Sequence, residues 1–249
     1  MKSRNLLVDL CCATVCLFIG SSALAQTELQ FTKANQEYAA GHFKEAIDGY
    51  ESLAHKGVWS TNLFYDLGNA YFHTGDLGRA ILNYERALVL DRRHPEAQAN
   101  LRIAHDEARA LEMTPTKGER FAQFADANQY AIAAVIAFWL SFFSIAWWIF
   151  SRRSGGVIVL SILSLSIFGL AIVSIFWLDH GTRGRALAIV TENRVEARLA
   201  TADNARSVLA LPPGSEIKIL SKRGDWIYAA LPNDLRGWIP AKSAEQVRL

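Results

Sequence analysis

Two apolar runs dominate the hydropathy pattern of the chain. Residues 130–150 and 157–178 run for 21 and 22 positions without an Asp, Glu, Lys, Arg or His. At about 1.5 Å of rise per residue, each would span about 30 Å as a helix, the thickness of a bilayer's hydrocarbon core. Only residues 151–156 separate them, so the pattern predicts a tight transmembrane helical hairpin. Trp147, Trp148 and Trp177 sit near the ends of the runs, where amphipathic rings favour the headgroup level. A buried helical pair in a soluble core is disfavoured by the length and purity of both runs.

Before the hairpin the apolar positions recur at helical spacing, and a longer period lies over them. Asn35, Tyr38, Gly41, Phe43, Ala46, Ile47 and Tyr50 are matched by Asn69, Phe72, Gly75, Leu77, Ala80, Ile81 and Tyr84 at a constant offset of 34. Gly68, Ala46 and Ala80 permit close helix approach, while Gly41 and Gly75 suit turns that need a positive φ. Leu67, Tyr71, Ile81, Tyr84 and Leu88 form a shared apolar face. Two copies leave that face bare at one end, and Pro95–Leu111 supplies a partial third copy in which Leu101 and Ile103 cover it. The period and Leu67-Gly68-x-x-Tyr71, Ala80, Tyr84 and Ala87 resemble the tetratricopeptide (TPR) repeat.

That resemblance implies a concave groove lined by the first helix of each pair. The positions concerned are Phe31, Asn35 and Tyr38 in copy one and Asn62, Tyr65, Asn69, Phe72 and His73 in copy two. Two readings stand side by side. Either the paired Asn amides hold an extended peptide by its main chain, or they bond neighbouring backbone while the aromatic rings fill core. The basic residues of carboxylate-clamp TPR grooves are replaced by Phe31 and Tyr65, which disfavours a C-terminal carboxylate as ligand. Between the groove and the hairpin, Pro115 and Gly118 argue for a break, and Phe121 and Phe124 at helical spacing suit the bilayer surface.

After the hairpin the period falls to two. Six short runs read as strands: 188–190, 195–198, 207–209, 216–220, 226–229 and 237–239. Pro212-Pro213-Gly214, Lys222-Arg223-Gly224-Asp225 and Pro232-Asn233-Asp234 are turns. Leu211-x-x-Gly214-x-x-Ile217, Gly224-Asp225-Trp226 and Gly237-Trp238-Ile239-Pro240 resemble the bacterial SH3 domain, a small all-β barrel. The resemblance implies a protein-docking or cell-wall-binding module, with Trp226 and Tyr228 as its aromatic surface; packing is the other reading of Trp226 and Trp238.

Charge changes the picture little. The net formal charge of +2 is spread without a dense basic stripe, which speaks against nucleic acid as a partner. The three cysteines, Cys11, Cys12 and Cys16, all lie in an N-terminal stretch that reads as a secretory signal. Lys2 and Arg4 precede an apolar run, and Ala23-Leu24-Ala25 suits cleavage. Cleavage there leaves a mature chain without thiols; retention as an anchor adds a third span on the same side. Either way residues 26–129 are expected outside, and Arg152 and Arg153 mark a cytoplasmic loop between the two spans.

No HExxH, zinc spacing, phosphate loop or nucleophile elbow occurs, so no catalytic residue, cofactor or metal site is expected. The fold class expected is a multidomain membrane protein: an all-α TPR helical repeat, a transmembrane α-hairpin and a small all-β SH3-like barrel. In order these are signal peptide 1–25, TPR domain 26–112, linker 113–129, spans 130–150 and 157–178 about loop 151–156, linker 179–185, and SH3-like domain 186–249. This layout resembles the BatE-type proteins of the aerotolerance (Bat) operons. The resemblance implies a scaffold in the bacterial inner membrane, with von Willebrand-type membrane proteins and a MoxR-type ATPase as associates. Membrane and periplasmic proteins are then the partners of the TPR groove, and the lipid bilayer surrounds the hairpin. The alternative is a cell-wall-associated factor whose SH3-like domain grips peptidoglycan while the TPR arm recruits an envelope enzyme.

Overall fold

A computed structural model describes residues 26–150 and 155–248. The signal stretch 1–25, with its cysteines, and Arg152 and Arg153 lie outside the described residues. The chain divides into two compact units, a helical one up to Ala110 and a second that begins at Leu111 and contains the apolar hairpin and a β domain.

The first unit is built from helix pairs. Helix α1 covers 26–39, followed by α2 (Phe43–His55), α3 (Thr61–His73), α4 (Leu77–Leu90) and α5 (Pro95–Ala108). The ends are set by local chemistry. The side chains of Ser60, Asp76 and His94 accept the backbone N–H groups of Leu63, Arg79 and Ala97, capping α3, α4 and α5. Gly41 and Gly75 turn the chain between the members of each pair at φ +82° and +80°, with open space around them, so the need there is conformational. At Gly68 the need is proximity: an added Cβ would lie 2.7 Å from the Tyr84 ring.

The helical core comprises Leu53, Leu63, Phe64, Leu67, Ala70, Ile81, Tyr84 and Ala87. Helix α5 closes it with Ala97, Leu101 and Ala104, which share one face at i, i+4 and i+7. Ile103 lies off that stripe and is exposed, so Leu101 covers the end of the stack without it.

In the second unit, α6 (Lys117–Ala122) is a single capped turn-and-a-half; α7 (Ala127–Phe150) and α8 (Gly155–His180) form the hairpin. Both are long and apolar enough to cross a membrane. Their packing is small-to-small. Ala134, Ala137, Ser141 and Ser144 on α7, and Ser164, Ala171 and Ser174 on α8, are buried, while large residues such as Ile136, Phe143, Leu163 and Leu170 are exposed. Ser144 and Ser161 meet across the helices at 2.8 Å. Ser144, Ser161, Ser164 and Ser166 bond back to their own helices, so the hydroxyls are satisfied without water.

The β domain is one antiparallel sheet of seven strands in the order β3-β2-β6-β5-β4-β1-β7. These are β1 (Leu187–Val190), β2 (Val195–Arg198), β3 (Ser207–Leu211), β4 (Glu216–Arg223), β5 (Trp226–Ala230), β6 (Arg236–Pro240) and β7 (Ala244–Gln246). Strand β7 adds to the six read from the pattern. Ala-Glu-Gln has no strand signature, and it becomes a strand because Val190, Ile189 and Ala188 of β1 pair with it. The β4–β5 turn is also tighter than the four residues expected, since Arg223 already pairs with Trp226 and leaves Gly224-Asp225 as the loop. Inward residues Val190, Leu211, Ile217, Ile227, Leu231 and Ile239 make the core.

Polar contacts join hairpin and sheet within this unit. Thr116 and Glu119 form a capping box on α6, and Glu119 also accepts the Thr182 N–H at 2.7 Å. Gly118 lies inside α6 instead of breaking the chain, and a Cβ there would lie 2.8 Å from the Trp177 ring. Buried Glu216 on β4 accepts from Met113 N–H at 2.8 Å and from Arg183 at 3.2 Å. Asp179 takes Arg185 at 2.6 Å. Burial pushes the Glu216 carboxyl up, with Arg183 and the Met113 N–H acting against it.

Gly68→Ala should loosen α3 against α4 by about 1–3 kcal/mol, the cost of overpacking a tight contact. Hydrogen exchange of the full chain in detergent should then quicken across α3 and α4. Gly169→Ala, at a site with nothing within 4 Å, should leave exchange unchanged.

Candidate functional site

Helix α3 separates its faces sharply. Leu63, Phe64, Leu67, Ala70 and Tyr71 are buried, whereas Asn62, Tyr65, Asp66, Asn69, Phe72 and His73 are half-buried or exposed. Phe31, Asn35 and Tyr38 on α1 are also half-buried. All eight positions expected to line the groove therefore keep contact with solvent, and none is core.

The two asparagines are held in the same way. Tyr50 O–H donates to Asn35 Oδ1 at 2.7 Å, and Tyr84 O–H donates to Asn69 Oδ1 at 2.8 Å. Asn69 Oδ1 also accepts from Asn100 Nδ2 at 2.9 Å. The partners are thus side chains on later helices, and the expected bond to neighbouring backbone is not the one formed. Because Oδ1 is the occupied atom, the Nδ2 groups of Asn35 and Asn69 have no partner among the described residues. Two amide donors, one repeat apart, are presented at fixed orientation.

Aromatic rings of the same helices pack together in three groups. Tyr38 meets Phe43 and His73 edge-on at 5.4 and 5.8 Å, Phe43 stacks on His73 at 4.5 Å, and Phe72 packs against His73 at 6.4 Å. Phe31 lies 5.9 Å from Tyr50, and Tyr65 lies 6.2 Å from Tyr84 and 5.1 Å from His94. His94 Nδ1 accepts the Ala97 N–H at 3.1 Å, so its 3.4 Å approach to Glu96 is not an ion pair in that protonation state.

Asp66 is the residue that pattern reading missed. It shares the α3 face with Asn62, Asn69 and His73 at helical spacing, and it has no hydrogen bond or ion pair among the described residues. Burial pushes its carboxyl up to about 6, and His94 acts in the opposite direction. Burial raises the phenols of Tyr38 and Tyr50, and the charge of Asp66 raises both further. The available signal was the 34-residue period itself: Asn100, which bonds Asn69, stands one period after Asp66.

On the β domain, Trp226 and Tyr228 point to the same side of β5, away from Ile227 and Ala229. Their cross-strand partners on β6 are Pro240 and Trp238, and the Tyr228 and Trp238 rings lie 5.0 Å apart. The expected pair is therefore part of a four-residue aromatic and proline row, half-exposed along its length. Trp238 belongs to this row and packs against Tyr228, while Ile239 points into the core.

Among proteins of known family, residues 62–94 match the Tetratricopeptide repeat, the span of the second copy from α3 to the start of α5. A comparison with curated proteins finds no match. The helical unit thus contains a TPR repeat, and repeats of this kind generally mediate protein–protein interaction.

Asp66 has a consequence for stability. Its folded pKa of about 6 lies above the ordinary 3.8, so the folded state is penalised above pH 6 and relieved as pH falls from about 6 to about 4. Asp66→Asn should stabilise the helical unit at pH 7.5, by at most about 1–2 kcal/mol given the group's partial hydration. At pH 4 the variant and the parent should melt together. Thermal melts followed by circular dichroism at the two pH values check this, and equal melting at pH 7.5 would reveal a compensating partner.

Proposed function

We propose that this chain is a non-enzymatic adaptor of the bacterial inner membrane, displaying its TPR groove and its β domain on the periplasmic side. The groove carries the reading. Two asparagines one repeat apart turn their N–H donors outward because tyrosines hold their carbonyls. Exposed donors at regular spacing beside aromatic rings suit the carbonyls of an extended peptide, and they offer no acid, base or nucleophile arranged for catalysis.

The hairpin supports the anchor. Helices that bury serine and alanine and expose leucine, isoleucine and phenylalanine are inverted relative to a soluble pair, and suit lipid. A hairpin returns the chain to the side from which it entered, so both folded parts face one compartment. A secretory reading of residues 1–25 makes that compartment the periplasm. The order of parts is similar to BatE-type proteins, whose associates include von Willebrand-type membrane proteins and a MoxR-type ATPase. Proteins of those kinds are the partners this reading names.

A second reading rests on the β domain. The row of Trp226, Tyr228, Trp238 and Pro240 is a surface on which a sugar or an extended peptide can stack. It favours an envelope factor that grips peptidoglycan through this face while the groove recruits an enzyme.

Affinity capture from solubilised membranes tests the first reading. Asn35→Asp/Asn69→Asp keeps the acceptors that Tyr50 and Tyr84 use and removes the outward donors. Partner recovery should fall at least about fivefold, near the worth of one hydrogen bond; unchanged recovery would remove the groove from the account. An alkaline phosphatase fusion at Leu249 should be active, and a fusion active only as a cytoplasmic reporter would overturn the topology. For the second reading, isolated sacculi should retain the full chain and lose it on Trp226→Ala; no retention by the parent excludes that reading.

A further inference from the structure

We infer that α6 binds lipid headgroups: Lys117 and Arg120 take the phosphate of an anionic phospholipid while Phe121 and Phe124 enter its acyl layer. The inference rests on the membrane reading of the hairpin and adds to it a lipid class and the residues that select it.

Helix α6 belongs to the same unit as the hairpin and lies at its open end, where α7 starts and α8 finishes. Three contacts hold it there. Glu119 accepts the Thr182 N–H at 2.7 Å and the Thr182 hydroxyl at 3.3 Å, the Trp177 ring covers Gly118, and Tyr130 O–H donates to the Phe121 carbonyl at 3.4 Å. Trp and Tyr are the residue types that settle at the headgroup level, so an element packed on Trp177 and Tyr130 sits at the border of the hydrocarbon layer.

Lys117, Arg120, Phe121 and Phe124 follow the spacing i, i+3, i+4 and i+7, which places them on one side of the helix. Gln123 at the C-cap keeps helical backbone and the Phe124 N–H bonds the Phe121 carbonyl, so Phe124 continues that side. All four are exposed, Phe121 by 56% and Phe124 by 90%. Ala122, on the other side, is buried. Among the described residues neither cationic side chain has a hydrogen bond or an ion pair, Asp126 in the turn into α7 included. Other acids at this end are committed, Glu119 to Thr116 and Thr182, and Asp179 to Arg185 and Arg248.

Two free cations beside two bare phenyl rings call for an anion and a hydrocarbon together. A phospholipid carries both in one molecule, and the apolar surface of the hairpin, with Ile132 and Phe176 exposed near this end, continues from the rings. The lysine and arginine stems lie along apolar surface while their heads reach the phosphate layer. A zwitterionic headgroup brings its own ammonium, which offsets the attraction, so the face favours a headgroup with net negative charge.

The test places the full chain in nanodiscs of phosphatidylcholine, with and without about 30% phosphatidylglycerol, and follows amide exchange of residues 117–124 by mass spectrometry. Exchange should be at least about fivefold slower with phosphatidylglycerol, the worth of one basic residue at an anionic surface. The difference should shrink at about 0.5 M salt. Lys117→Gln/Arg120→Gln should exchange alike in both discs, and Phe121→Ser/Phe124→Ser should exchange faster than the parent in both. A lipid preference that survives loss of both cations would overturn the assignment. Equal exchange of the parent in the two discs would overturn it as well and leave the face to a protein partner. Inorganic phosphate added to the phosphatidylcholine discs should change nothing; slowing by phosphate alone would make this a small-anion site and exclude the lipid. Failure of the membrane reading is a separate result, in which residues 134–145 exchange freely in either disc. The glutamine variant changes only exposed side chains without partners, so the fold is not at risk.

Discussion

Two tyrosine hydroxyls set the character of the helical unit. Tyr50 and Tyr84 are buried to within a few per cent, and each spends its one donor on an asparagine of the preceding helix. The bond ties the second helix of a pair to the first and removes a polar orphan from the core, which would otherwise cost about 1–3 kcal/mol. It also decides how the amide is turned. With the carbonyl drawn inward, the N–H groups are left on the open face. A core requirement and, on the adaptor reading, a peptide-binding surface are thereby served by one contact, repeated at the repeat period.

The second unit solves a different problem, that of attaching a β domain to a pair of apolar helices. The helices end at His180 and the sheet starts at Leu187, leaving six residues to change both period and environment. Polar side chains take up the change. Glu119 receives the Thr182 backbone, Arg183 reaches buried Glu216, Asp179 gathers Arg185 and Arg248, and Lys218 donates to the His180 carbonyl. Burial alone would push Glu119 up, but the donors from Thr116 and Thr182 outweigh it and hold its carboxyl below the usual range. Trp177 packs over Gly118 at the same level, which makes the junction a packed structure and no free tether.

Most of the architecture could be read from periodicity because each element has a distinct period: 34 residues for the repeat, unbroken hydropathy for the hairpin, two for the strands. The misreadings have local causes. Ile103 looked like core because it is apolar, but helical phase puts it a hundred degrees or so away from Leu101's stripe. Gly118 looked like a breaker because composition does not reveal a tryptophan sixty residues later that requires a bare Cα. Strand β7 has no pattern of its own and exists through its partner. The eight positions that the TPR resemblance assigns to a groove keep contact with solvent, whereas the direction of each amide was not legible, since that depends on a hydroxyl fifteen residues away.

The repeat also separates polar residues that are bonded within the helical unit from one that is not. Asn35 and Asn69 are equivalent by period and make equivalent bonds, so their role in the fold is shared. One period after Asn69 stands Ile103, which is exposed and follows no second tyrosine pair, so the ladder of donors ends after two rungs. Asp66 and Asn100 are equivalent as well, yet they differ in use. Asn100 bonds Asn69 and approaches Tyr65 at 3.4 Å, whereas Asp66 has no hydrogen bond among the described residues. An asparagine at 66 would be neutral, with no desolvation penalty of a charge, and would suit the same helical face. Burial opposes the charged form of Asp66, and no hydrogen bond among the described residues offsets it, so the two equivalent positions serve the helical unit differently.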